Sequence, residues 1–197
     1  MRKRSESEPR RLLALYLGDH LAGATAGLEL MRRIARQHRG GPAAARLARL
    51  AAEAEEDRDA LREVMTALDL PLSSGRAALG WLGEKAGRLK LNGRLLSRSP
   101  LSDAVELEAM RLGVEGKADC RRSLQAVADT DPRIDRGRID ARLAGARHQS
   151  DVLGMLLPVA VGRVAAVPHD AGDEGVGVGH GRLRLVDEPL LDPPPVA

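Results

Sequence analysis

The chain contains no phenylalanine, one tryptophan and one tyrosine. Its core must therefore be built from Leu, Ala, Val, Ile and Met, a composition that suits helices packed through small residues and is poor for stacking on bases. Cysteine is almost as scarce. The single Cys120 excludes an intramolecular disulfide and a cysteine-rich zinc site, is compatible with a reducing compartment, and reads as a small core residue. No stretch approaches the roughly 18 consecutive apolar residues of a membrane-spanning helix. The basic opening MRKRSESEPRR leads into no uninterrupted apolar run and no evident cleavage site, so it does not read as a signal peptide. A cytoplasmic location is the expectation. An excess of one charge is lacking too: 31 Lys and Arg stand against 28 Asp and Glu, and a net charge of +3 makes no bulk case for nucleic acid.

What the chain does have is helical periodicity at a length sufficient for one bundle with a real core. Leu13, Leu17, Leu21, Ala24, Leu28 and Met31 recur at three- and four-residue spacing and predict a helix over 11–37, with Tyr16, His20, Gly27 and Ile34 on its flank. Close packing of a neighbour is the expected reason for Gly23 and Gly27. Arg39-Gly40-Gly41-Pro42 breaks the chain, and a link this short makes the next helix antiparallel. That helix is predicted over 43–69, with Leu47, Leu50, Ala54, Leu61, Met65 and Leu68 inward and Asp57 in the gap of the stripe.

The clearest core helix is predicted over 99–128, opened by Ser99-Pro100 and by Ser102-Asp103 near its positive end. Its inward face is expected to carry Leu101, Val105, Leu112, Gly116, Ser123 and Val127, with Glu108, Glu115 and Asp119 on or beside that stripe. A last helix over 136–157, capped by Asp135, has Ile139, Leu143, Ala146, Ser150, Leu153 and Leu157 inward and His148 on the solvent side.

Three segments fall outside this pattern. Residues 1–10 are expected to be a disordered basic N-terminus. Residues 72–98 have weak helical character and must carry the chain from the second helix to the start of the third, which about twenty helical residues can do over roughly 30 Å. This crossover is basic, and with Trp81 beside Lys85, Arg88, Lys90 and Arg94 it offers contacts to an anionic lipid surface or nucleic acid, or else simply a solvated outer side. From Pro158 the period is lost, and 158–197 reads as a disordered tail rich in Gly and Pro; a shifted reading frame would produce the same abrupt change.

Four long helices with a short first link, a long crossover and a short last link resemble the ferritin-like superfamily. The resemblance covers residues 11–157 and is one of helix order and length with inward acids. It implies an all-α, ferritin-like up-down four-helix bundle with a long helical crossover between the second and third core helices. Metal-active members carry a Glu on two helices and a Glu-x-x-His on the other two, a pattern from which this chain departs at nearly every position. At 1.5 Å per residue, Asp57 lies roughly 22 Å and His20 roughly 27 Å from the end where the first two helices meet, and Glu115 roughly 21 Å if the crossover returns the chain there. Gln149 and Ser150 come to the same level.

His20, Asp57 and Glu115, with Gln149 as a neutral neighbour, form the candidate constellation. One imidazole and two carboxylates suit a single divalent ion, Fe, Mn or Zn by ligand type, or a hydrogen-bonded polar layer that fixes helix register. No P-loop is present, and Cys120 has no evident base partner. The leading expectation is a non-catalytic structural or interaction module without a cofactor, self-associating as a homo-oligomer. A metal-binding or redox protein using Fe or Mn, and an anionic-surface binder acting through the crossover, are the alternatives.

Overall fold

The computed structural model describes residues 2–72 and 100–165, and within them the chain forms four α-helices and no strand. These are α1 (Arg2–Gln37), α2 (Ala44–Ala67), α3 (Pro100–Ala128) and α4 (Arg136–Ala165). Apart from Leu72, the expected crossover with Lys85, Arg88, Lys90 and Arg94 lies outside the described residues, as does the tail beyond Ala165. Among the described residues no helix is long and apolar enough to cross a membrane.

Two helices extend past their expected ends. The segment over 1–10, expected to be unstructured, is helical from Arg2 onward, with Pro9 inside the helix. This extension places Arg10 so that its Nη2 donates to the carbonyls of Leu68 (3.4 Å) and Asp69 (2.7 Å), which satisfies acceptors left over at the end of α2. α4 likewise runs through Pro158 to Ala165 instead of stopping before it. Proline there forfeits one helical hydrogen bond, but Ala160 beyond it is buried in the core, so packing offsets the loss.

The links follow from local chemistry. Gly40 takes a positive φ of 79° in the turn between α1 and α2, a conformation open to glycine at little cost. At the end of α2 the Leu70 N–H donates to the Met65 carbonyl (2.8 Å) and the Asp69 N–H to that of Thr66 (2.9 Å), with Asp69 at φ 52°. This is a Schellman ending, and Met65 and Leu70 pack into the same core cluster as its usual hydrophobic contact. Asp135 caps α4 as expected, its Oδ1 accepting from the Arg138 N–H at 3.1 Å.

Side-chain contacts fix the directions. Tyr16 with Ser123, Arg33 with Glu106 and His38 with Asp103 show α1 and α3 antiparallel, while Arg138 with Glu63 and Arg142 with Glu56 show the same for α4 and α2. The two sequence-adjacent pairs, α1 with α2 and α3 with α4, make the most extensive contacts. The core has two parts. Met31, Ile34, Leu47, Leu50, Leu107 and Leu153 belong to one, towards the α1–α2 link; Leu17, Leu21, Leu61, Met65, Leu124 and Ile139 belong to the other.

The largest departure from expectation is the orientation of α3. It buries the opposite side from the one its sequence suggested: Ala104, Leu107, Met110, Val114, Ala118 and Leu124 are inside, while Leu101 (40 % exposed) and Leu112 (69 %) face out. Apolar residues lie on both sides of this helix. Lys117 and Arg121 made one of them look like the solvent side, yet Arg121 is buried and the Lys117 side chain is only 15 % exposed. Their burial is affordable because a carboxylate on α2 meets them. Gly23 and Gly27 also correct an expectation: a Cβ at either would meet nothing within 4 Å, so close packing is not their explanation.

Candidate functional site

Asp57 is the centre of the polar interior. It sits in the apolar stripe of α2 between Leu50 and Leu61 and is 4 % exposed, so its ionised carboxylate needs compensating donors. Lys117 Nζ on α3 donates to its Oδ2 at 2.6 Å, and Gln149 Nε2 on α4 donates to the same oxygen at 3.1 Å. Lys117 also donates to Gln149 Oε1, which closes a triangle across three helices. The second carboxylate oxygen faces Arg121 Nη2 at 3.7 Å and Arg142 Nη1 at 3.9 Å. Arg121 Nη2 further donates to the Asp57 backbone carbonyl at 3.0 Å.

The electrostatics follow from this geometry. Burial pushes the Lys117 ammonium below its ordinary 10.5; Asp57 pulls the other way, and Arg121 adds to the depression. Cys120, next to Arg121 in sequence and 1 % exposed, has its thiol pushed up by burial to about 11, with Arg121 opposing. A thiol held in that state is a core group and a poor nucleophile.

The other anticipated residues fall around this triangle. Asp57 and Gln149 meet directly, whereas Glu115 stands at an exposed rim and accepts from Ser150 Oγ at 2.6 Å. His20 is half-buried, with its ring edge-on to Tyr16 at a centroid distance of 4.6 Å. Burial holds its pKa below 6.5, Arg121 adding to the effect and Asp19 and Asp119 opposing it. Among the described residues no group of three or more His, Cys, Asp or Glu is placed to hold a metal ion, so His20, Asp57 and Glu115 are not gathered into a ligand set. Rotation of α3 is the reason: it turns Glu115 to the rim and brings Lys117 to the centre.

The residues that sequence reasoning passed over are Lys117, Arg121 and Arg142. A signal for the first two existed. Asp57 in the gap of an otherwise apolar stripe calls for a cation on a facing helix, and Lys117 and Arg121 share one side with Val114, Ala118 and Leu124 at helical spacing. As to chemistry, Oδ2 of Asp57 accepts from two donors, and Oδ1 faces two guanidinium groups at 3.7 and 3.9 Å. The arrangement joins α2, α3 and α4 through one carboxylate.

Fold and site together define, among the described residues, an all-helical arrangement of four helices whose interior is joined by an aspartate–lysine–glutamine contact. No protein-family model, no curated protein and no solved structure matches the chain.

Proposed function

We propose that this chain is a non-catalytic bundle of ferritin-like topology that serves as a structural or interaction module, with its own lysine supplying the positive charge at the level where metal-active bundles hold ions. The observation that carries the reading is Lys117 Nζ, 2.6 Å from Asp57 and bonded to Gln149. An ammonium in that place neutralises the carboxylate and repels a dication. The topology is supported by the helix directions. α1 is antiparallel to both α2 and α3, so α2 and α3 run the same way, and the chain between them has the length of the bundle to cover. For association, the outer side of α1 presents Leu12 and Leu15, which are 54 % and 55 % exposed.

The deciding experiment is metal content by mass spectrometry on protein purified without a histidine tag, before and after anaerobic loading with Fe(II), Mn(II) and Zn(II). The reading expects no ion retained through desalting. About one tightly held ion per chain, lost in Asp57→Asn, would overturn it in favour of a metal protein. Sedimentation of the wild type against a Leu12→Glu/Leu15→Glu variant tests the association: the wild type is expected to self-associate and the variant to dissociate.

A further inference from the structure

α4 runs past Pro158, and that extension builds one wall of a cleft at the end of the bundle where α1 and α2 are linked. Val159, Ala160 and Arg163 face the end of α1, the α1–α2 link and the first two turns of α3 across a volume of about 210 Å³. The floor is apolar: Ile34, Leu47, Leu107 and Ala160 are buried members of the core cluster beneath it. The rim is cationic. Arg39 in the link and Arg163 in the last turn of α4 are exposed there, and among the described residues no carboxylate pairs with either. The other charged groups of the rim face each other, His38 Nε2 lying 3.5 Å from Asp103 Oδ1.

Two uncommitted guanidinium groups above an apolar floor are complementary to a molecule with one anionic head and one apolar tail. We propose that this cleft binds a small apolar monocarboxylate. An apolar cavity of about 150 Å³ takes up benzene, so 210 Å³ has room for about eight non-hydrogen atoms, the size of hexanoate. The tail leaves water over Ile34 and Leu107, and a guanidinium fork matches the two oxygens of a planar carboxylate. Asp103 decides the charge of the head: a carboxylate in the same wall disfavours a dianion, such as a phosphate monoester, more than a monoanion. The cleft shares no residue with the contact of Asp57, Lys117 and Gln149, so its failure as a site would leave the reading of Lys117 untouched.

The test is isothermal titration of the full chain, at matched ionic strength, with hexanoate, hexanol, acetate and hexyl phosphate. Saturable one-to-one binding of hexanoate is expected. Hexanol, which lacks the charge, and acetate, which lacks the tail, are each expected to bind at least about tenfold more weakly. Hexyl phosphate is expected to bind more weakly than hexanoate, and tighter binding would overturn the assignment to a monocarboxylate. Arg39→Gln combined with Arg163→Gln should weaken hexanoate at least about tenfold and leave hexanol unchanged, helical circular dichroism being retained. In isotope-filtered NMR, the hexanoate methyl group should show nuclear Overhauser contacts to the methyl groups of Ile34 and Leu107. Three results would each overturn the proposal. They are hexanoate binding no tighter than acetate, contacts only to methyl groups outside the cleft, and affinity unchanged in the double variant, which would leave the arginines as charges of a helix end and a link.

Discussion

At the scale of single residues, Asp57 has the greatest leverage in the described structure. Replacing it by alanine leaves the buried Arg121 and the largely buried Lys117 without their carboxylate, and the expected loss is about 3–5 kcal/mol of stability by urea unfolding. Adding Lys117→Met should recover part of that loss, because the double variant no longer buries an unpaired ammonium; strictly additive losses would show that the two side chains do not act as a pair. His20 contributes a pH dependence of its own. Its folded pKa lies below 6.5, so the unfolded chain binds the proton more tightly, and this residue's contribution is fully present above 6.5 and lost as pH falls through the window just below it. Urea midpoints measured on either side of that window should converge in a His20→Gln variant relative to wild type. Asp57 stood out in the sequence as an acid in an apolar stripe. Its partners did not, because a lysine and an arginine are ordinarily solvated and only the fold reveals that one carboxylate serves both.

At the scale of elements, α1, α2 and α4 were legible because each has a single apolar stripe: Leu17, Leu21, Leu28 and Met31; Leu47, Leu50, Leu61 and Met65; Ile139, Leu143, Ala146 and Leu153 are all buried as their spacing implies. α3 was not, since Leu101, Val105, Leu112 and Val127 mark one side as convincingly as Leu107, Met110, Val114 and Leu124 mark the other. Periodicity locates a helix and its candidate faces, but choosing between two faces requires knowing the neighbour. The helix ends at Arg2 and Ala165 were hidden for a related reason, as both prolines punctuate the pattern locally while Arg10 and Ala160 gain contacts from distant segments. The open space around Gly27 gives a clean test of α1. Gly27→Ala should stabilise the protein by about 0.5–1 kcal/mol, since alanine lowers the backbone entropy lost on folding. The corresponding rise in melting temperature is about 1–4 °C, read by differential scanning calorimetry.

At the scale of the whole molecule, the described chain is two helical hairpins, α1 with α2 and α3 with α4, joined by a polar contact between two apolar clusters. Each hairpin closes outward from its own short link, the contacts of α1 with α2 running from those beside the link to Arg10 with Asp69 at the far end. Asp57 and Lys117 are separated by 60 residues and belong to different hairpins, so their bond can form only when the hairpins meet. This gives the triangle a kinetic meaning. Hairpins grow from the contacts beside their links, and docking them closes a long loop before the buried ions find one another. The ion pair is then expected to form after the hairpins have met. In stopped-flow measurements Asp57→Ala is therefore expected to leave the folding rate within about twofold and to speed unfolding by most of the lost stability. A pair formed at that stage lengthens the life of the folded state more than it hastens its arrival.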